Sequence, residues 1–583
     1  MITRFLKSLS ANQTLLILLS FWTILNVFQA TYTELSDNEA YYWVLSQQFE
    51  WGYFAHPPLF TWLVGISTAV LGDSEVAVRL LIVVLQPIYL YLFWATIRPL
   101  KATKKLAVLY FVVCFALPLL QLYGVLVTPS ATLLLTMAMA LYSYRKFLRS
   151  GSVSLMWAVA FGASAGLMAY ANYYGALVIA LILLSNVKLI VNYRVYVAGA
   201  VAVVVMLPHI IWLSGHEWTA FVYYVQAKTA GFDASNFWLY LFNTVIIFNP
   251  LLFPIFIVLL LKKRRMTMKL DEKQFFNAMR FIAWGFMFFF VFMSRKMHVE
   301  VRWLLPIVFP MVYFLIRGAA TRPAMYGYLG KISLLTLVVV IGLRVFIMVY
   351  EGDLFGSQLF NNKTYATLNM NLKGKPLITD GNHLLASKMR YYGGNEAFSQ
   401  SSIFGSNSQY YYMQNDANSL FGRDVAIALS SETQMEMNPQ QLNSEYQKAS
   451  VGGVEFYYDT INNFKPTARV RVMSDLPRSI MSGQSMTLDI TMENPYKYSF
   501  NLVGEDKYSL YLQLRVDGVM SYELYVPIRT KVLPAMGRLY ESVALTIPTN
   551  VPTNDYLASF TLIRYPFGGW YNGKRVELRV VKP

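Results

Sequence analysis

Cysteine, histidine and charge are all scarce in this 583-residue chain, and each scarcity removes a class of function. The single cysteine, Cys114, stands within an apolar run, so neither an intrachain disulfide framework nor a cysteine-based metal site can form, and the residue reads as a core thiol. Of five histidines, His56 precedes Pro57 and Pro58 and His216 precedes Glu217, and no pair has the spacing of a local zinc site. No metal is expected. Charged residues make up 14% of the chain and hydrophobic residues 56%, with a mean hydropathy of +0.41, a balance outside that of soluble globular chains. Acids are the scarcer sign, 32 against 49 Lys and Arg, which leaves a formal net charge of +17. The cations collect in short loops between apolar runs, where they orient a membrane protein and meet anionic lipid, so a nucleic-acid partner is excluded. No internal repeat or low-complexity tract points to a solenoid or a disordered arm.

What is present is a series of apolar segments. A first run, Leu15 to Ala30, follows Arg4 and Lys7; it is long for a signal-peptide core and lacks a small-x-small cleavage site, so it reads as a retained span. Further spans are expected at 79–97, 106–124, 130–144, 153–171, 173–192, 195–214, 238–261, 276–293, 303–316 and 331–350, about eleven in all. The segment Leu59 to Gly72 is apolar but short of the roughly twenty residues needed to cross, and is expected to lie at the outer surface. That register places Arg98, Lys101, Lys104 and Lys105, then Arg145, Lys146 and Arg149, then Lys188 and Arg194, then Lys262 to Arg265, and Arg317 and Arg322 all in the cytoplasm with the N-terminus. The outer side receives the first loop, residues 31–78, then Gly215 to Phe237, Ser294 to Arg302, and everything after Tyr350.

Beyond Tyr350 long apolar runs stop. Lys375 to Gly394 reads as strand, turn and helix, part of a small mixed α/β unit over 351–465. From about Pro466 to the end, alternating segments such as MTLDITM, SLYLQLRV, SVALTI and VELRVV are spaced as in an antiparallel sandwich, giving a domain at 466–583. The expected fold class is therefore a polytopic α-helical membrane domain over 1–350, an outer soluble α/β unit and a C-terminal antiparallel β-sandwich.

The most informative stretch is Glu34 to Leu59, ELSDNEAYYWVLSQQFEWGYFAHPPL. From Thr31 to Pro58 it holds no Lys or Arg, while Glu34, Asp37, Glu39 and Glu50 are acidic, as suits an active-site loop outside the cytoplasm. Taken together, EAYYW, WGYFAHPPL, the TPS at Thr128, GHEW at Gly215 and SRKMHVEVRW at Ser294 resemble the bacterial protein O-mannosyltransferase and aminoarabinose-transferase branch of the GT-C glycosyltransferases over roughly residues 10 to 350. The resemblance implies a multi-pass enzyme of the bacterial inner membrane, a hexosyl or related glycosyltransferase, that moves a sugar from a polyprenyl-phosphate donor to a hydroxyl on a glycan, lipid or protein acceptor at the outer face. No cofactor is required; the lipid-linked sugar is the donor substrate.

Such a transfer needs a base for the acceptor hydroxyl and cations for the departing lipid phosphate. Asp37 and Glu39 are the candidate carboxylates; the alternative for them is a helix N-cap and first turn. Arg295, Lys296 and Arg302 crowd one short loop against the cytoplasmic bias of the cations, and are the candidate phosphate ligands, with His298 and Glu300 beside them. Arg79 is a weaker candidate, read as snorkelling from the start of its span. His56 and His216 are expected to make structural hydrogen bonds. Asn38, Tyr41 and Tyr42 could contact substrate, although for most of Tyr41, Tyr42, Trp43, Trp51, Tyr53 and Phe54 an interfacial aromatic belt is the preferred reading. Departures from the family pattern are equally specific: Asn38 stands where the family has its catalytic Asp, Ala55 precedes His56 in place of an acid, Ser130 replaces the acid of TPD, and Asn172 precedes Tyr173 in place of a lysine. These departures keep open a catalytically silent relative that binds lipid or glycan in an envelope complex. A transporter or flippase is a minor alternative, because Arg344 is nearly alone as a charge within a span.

The register makes one direct prediction. A cysteine introduced by Ser401→Cys should react with a membrane-impermeant thiol reagent from the outer side; labelling only after the cytoplasmic face is opened would invert the topology.

Overall fold

The computed structural model describes residues 9–97, 102–150, 154–216, 218, 220, 234–262, 268–295, 297–349, 372, 374–379, 383–394, 396–399, 420–429, 447–451, 454–467, 469–504, 507–516, 519–564 and 572–582. Arg4, Lys7, Arg98, Lys101, the basic run 263–265 and most of the expected loop from Gly215 to Phe237 lie outside the described residues. The chain divides into two units, Met1–Phe360 and Asn361–Pro583.

The first unit is helical. It begins with α1 (Ala11–Tyr32), α2 (Asp37–Ser46), α3 (Leu59–Leu71), α4 (Glu75–Ile97), α5 (Lys104–Phe115), α6 (Pro118–Leu122), α7 (Pro129–Arg149) and α8 (Met156–Ala171). There follow α9 (Tyr174–Leu184), α10 (Tyr193–Gly215), α11 (Ala234–Ile247), α12 (Phe253–Leu261), α13 (Leu270–Met293), α14 (Val308–Thr321) and α15 (Pro323–Val349). Among the described residues six helical segments are long and apolar enough to cross a membrane, including α1, α4, α10, α13 and α15, and shorter apolar helices such as α3, α8, α9 and α11 accompany them. Three expected spans are interrupted: 173–192 is α9 followed by a short 3-10 helix at Val187–Val191, and two others break beside amide side chains. The one at 106–124 stops at Phe115 and restarts at Pro118, and the carbonyls released there are taken up by Gln121 Nε2 on Phe115 and by Asn249 Nδ2 on Ala116. The one at 238–261 splits at Asn249, whose φ of 69° reverses the chain while its Oδ1 accepts from the N–H groups of Leu251 and Leu252. Side-chain amides thus satisfy backbone groups that hydrocarbon cannot.

Helix α8 packs closely on α10 because glycines face it: a Cβ at Gly162 would sit 2.2 Å from Ala198 O, and one at Gly166 would sit 2.8 Å from Ala202 O. A buried polar network ties the first helix to the last. Arg344 of α15 donates to Asn26 Oδ1 at 2.8 Å, to Gln121 Oε1 at 3.1 Å and to Gln29, with its guanidinium over the Trp22 ring. Asn26 in turn donates to Gln86, which donates to Leu120 O at 2.6 Å.

In the second unit a five-stranded sheet has the order β2-β1-β3-β5-β4, built from β1 (Leu377–Thr379), β2 (Ala397–Ser399), β3 (Val425–Leu429), β4 (Gln447–Val451) and β5 (Val454–Ile461). Strand β1 runs parallel to β2 and β3, with α16 (His383–Tyr391) between β1 and β2 in sequence, and the remaining pairs are antiparallel. The expected strand, turn and helix over 375–394 is this β1–α16 segment. The sandwich follows. One sheet contains the strands 519–526, 509–516, 554–563, 576–581 and 479–481 in that order, the other 538–546, 485–493 and 471–473. Their alternating inward residues, among them Leu488, Ile490, Leu512, Leu514, Val543, Phe560 and Leu578, form its core.

Because the α8–α10 contact has no room for a side chain, Gly162→Leu should destabilise the membrane unit by about 1–3 kcal/mol or displace α10. A lowered unfolding temperature of the purified protein would register it, and an unchanged one would refute the close contact.

Candidate active site

The first loop is organised around Glu39. Asp37, Asn38 and Glu39 form the first turn of α2 after Ser36, and Glu39 reaches back to accept from Ser36 N–H at 2.9 Å and Ser36 Oγ at 3.0 Å, closing the start of the helix. Arg79 of α4 grips the same carboxylate with both arms, Nε to Oε1 at 2.8 Å and Nη2 to Oε2 at 2.7 Å, and Val127 N–H adds a fifth bond at 3.1 Å. The other guanidinium hydrogens meet Thr33 O at 2.6 Å, Thr33 Oγ1 at 3.0 Å and Glu34 O at 2.7 Å. Both residues are fully buried. Arg79 therefore does not snorkel; its span begins beneath the loop, and the loop's carbonyls and one acid supply the partners that headgroups would otherwise provide. Burial pushes the Glu39 carboxyl up, but the Arg79 charge and the hydrogen bonds from Arg79, Ser36 and Val127 outweigh it and hold the pKa below the ordinary 4.5.

Beyond Glu39 on α2, Tyr42 accepts from Arg302 Nη1 at 3.4 Å, and Arg302 is ion-paired with Glu300. Tyr42 is buried, and desolvation raises its pKa against the pull of Arg302, so the phenol stays protonated. Tyr123 shares the field of Arg302 and Glu300. His56 and Phe60 stand edge-on to the Tyr42 ring, at 6.0 and 4.8 Å between centroids. The expected loop of cations is divided: Arg302 turns inward to Tyr42, Arg295 and His298 are exposed, and Lys296 lies outside the described residues. Asn38 is exposed one helical turn before Tyr42 and so on the same face, whereas half-buried Asp37 shares a face with Tyr41.

The aromatic-belt expectation fails for Tyr41, Tyr42, Tyr53 and Phe54, all buried, because the loop folds over α3 and packs its rings inward; Trp51 is 47% exposed. His216 makes a local contact, Nδ1 to Trp212 O at 2.8 Å, with its ring stacked on Trp212. A second anchor of the loop, not read from the sequence, is His209. This buried residue of α10 bonds Trp51 O at 2.9 Å and Tyr173 Oη at 3.0 Å, while Trp212 Nε1 donates to Glu50 at 3.1 Å. Gly52 lies against them, and a Cβ there would stand 2.4 Å from the Trp212 ring. The available signal was a lone imidazole inside an apolar run. Ser130 is buried in the first turn of α7, and Asn172 Oδ1 accepts from Tyr174 N–H at 3.0 Å. Among the described residues no three His, Cys, Asp or Glu gather as a metal-ligand set.

Comparison with known proteins follows this geometry. Residues 55–212 match the family model described as dolichyl-phosphate-mannose-protein mannosyltransferase. The chain is 29% identical over 228 residues to the lipid A galacturonosyltransferase RgtD of Rhizobium johnstonii, an alignment that spans 36% of this chain and 45% of that relative. Its fold is that of ArnT from Cupriavidus metallidurans, in the apo state and bound to undecaprenyl phosphate, with a TM-score of 0.55, 13% identity, and 76% of this chain and 97% of ArnT covered in each case. The GT-C resemblance and the helical-then-stranded fold class read from the sequence are both borne out.

Breaking the buried pair should cost far more than a surface ion pair. Glu39→Gln or Arg79→Met should each destabilise the membrane unit by about 3–5 kcal/mol. Because the folded pKa of Glu39 is depressed, its contribution is complete above pH 4.5 and is lost as pH falls through the folded value. Denaturant titrations of wild type and Glu39→Gln from pH 7 downward check both points; identical pH profiles would refute the coupling.

Proposed function

We propose that this GT-C-type membrane protein transfers a sugar from a polyprenyl-phosphate donor to an acceptor hydroxyl at the extracytoplasmic face of the bacterial inner membrane. The observation that carries the reading is the pinned first turn of α2, which carries Asp37 and Asn38 one turn before Tyr41 and the protonated Tyr42, the latter bonded to Arg302 of the Arg302–Glu300 pair. A carboxylate that already accepts five bonds, with its pKa held below the ordinary value by Arg79, is a poor proton acceptor, so Glu39 is the anchor and Asp37 the base. The acceptor oxygen, losing its proton to Asp37, bonds to the anomeric carbon as the bond from that carbon to the phosphate oxygen breaks. The electron pair leaves with the lipid phosphate. Arg302 meets that charge by exchanging part of its pairing with Glu300, Tyr42 donates its O–H, and Arg295 and Lys296 lie nearby in sequence. The ArnT bound to undecaprenyl phosphate supports the donor class, and the lipid A galacturonosyltransferase supports a glycolipid acceptor. In this reading the N-terminus is cytoplasmic and the second unit lies outside.

A second reading, a silent relative that retains binding, is favoured by one observation: Asn38, rather than an acid, shares the helix face of Tyr42. An amide cannot accept the proton.

Complementation of a deletion strain, with glycan analysis at matched expression, separates the two. Asp37→Asn should lower transfer by a factor of roughly 100 to 10,000, as for a lost general base. Arg302→Ala should weaken donor use while the protein remains folded. Full function of Asp37→Asn would remove Asp37 as base and favour the silent relative.

A further inference from the structure

The membrane unit carries a groove away from this site, between α9 and α13, lined by Leu181 of α9 and by Asn277, Arg280, Trp284, Gly285 and Phe288 of α13. Its shape follows from Gly285, where a Cβ would stand 2.3 Å from Leu181 Cδ2; the missing side chain lets α9 close on α13 and leaves the floor bare. Lys273, Asn277, Arg280, Trp284 and Phe288 recur at intervals of three and four residues and so form one stripe along α13. The stripe is amphiphilic along its length. Two cations and an amide occupy the end toward Leu270, and the rings of Trp284 and Phe288, stacked 5.3 Å apart, occupy the other. Leu181 lies one turn from the end of α9, after which come Lys188 and Arg194, so the polar end of the groove is at the side of the basic loops. Among the described residues Arg280 has no carboxylate partner; of the two acids in the first turn of α13, Asp271 is ion-paired with Arg149 and Glu272 lies in the field of Arg145.

We propose that this groove binds an anionic phospholipid of the leaflet on the basic-loop side, with its phosphate on Arg280, Lys273 and the Asn277 amide and one acyl chain along Trp284 and Phe288. Charge decides the headgroup: the polar end supplies donors and positive charge, the pattern of basic pockets between membrane helices that hold anionic lipid. Length decides the tail. From Asn277 to Phe288 the helix rises about 17 Å, the depth of one leaflet, which suits an acyl chain and is short for a polyprenyl chain.

The test uses the full chain purified in detergent and placed in phosphatidylcholine nanodiscs with or without phosphatidylglycerol, with retained lipid counted by native mass spectrometry. Wild type should retain phosphatidylglycerol over phosphatidylcholine. Arg280→Gln and Lys273→Gln should each reduce that retention by about fivefold, the effect of one cation near a lipid headgroup. Trp284→Ala should weaken retention of both lipids without changing their ratio, and Arg280→Lys should restore much of the preference. An unchanged unfolding temperature in pure phosphatidylcholine certifies the fold of each variant; if Arg280→Gln unfolds, Lys273→Gln and Arg280→Lys decide. Equal retention of the two lipids by wild type, or wild-type retention by the folded cation variants, overturns the proposal. Displacement of phosphatidylglycerol by equimolar undecaprenyl phosphate, abolished by Arg280→Gln, would also overturn it by assigning the groove to a prenyl lipid.

Discussion

The bidentate ion pair between Glu39 and Arg79 is the constraint on which the first loop depends. A charge pair with no exposure to water is tolerable only when every lone pair and hydrogen finds a partner, and here the partners come from four separate places: the end of α1, the turn before α2, α4 and the segment before α7. Satisfying one carboxylate therefore fixes where four pieces of chain meet. The position of Tyr42, and through it the contact with Arg302 some 260 residues later, follows from that meeting point.

The rest of the loop is held by a different chemistry. His209, Trp212 and His216 present a stack of rings on α10, and the segment around Glu50 to Gly52 lies on it through a backbone carbonyl, a carboxylate and a glycine with no room for a side chain. The loop is thus tethered electrostatically at its start and by aromatic packing at its middle. Such an arrangement keeps polar residues of a membrane protein in fixed positions without exposing their backbone to hydrocarbon.

Much of this was legible in the sequence, and the failures have a common cause. Apolar run length located the helices, and alternation located the strands, because both are local periodicities. The breaks at Pro118 and Asn249 were hidden, since hydropathy does not register a turn whose backbone groups are satisfied by side-chain amides, near or distant. Glu39 and Asp37 stood out as acids, but the burial of Glu39 depends on Arg79, forty residues away, and a lone Arg at the start of a span has the same local signature whether it reaches for headgroups or for a buried carboxylate. Tyr41, Tyr42, Tyr53 and Phe54 were misplaced at a lipid-facing belt for the same reason: aromatic composition is local, and the surface it covers is not. His209 was invisible because one imidazole in an apolar helix carries no information about what faces it.

The Arg344 network joins residues 315 and 318 positions apart, on the first and last described helices of the membrane unit. At about 5–20 residues per second of synthesis, Asn26 and Gln29 emerge roughly 15–65 s before the arginine that they accept from. During that interval their amides sit in a partly assembled helical unit without their final donor. The nascent chain must meanwhile satisfy them with water, lipid headgroups or the insertion machinery, and the arrival of α15 exchanges those temporary partners for a cation that closes the bundle. Completion of the membrane unit is in this way made conditional on the last helix, the one after which the second unit is translated.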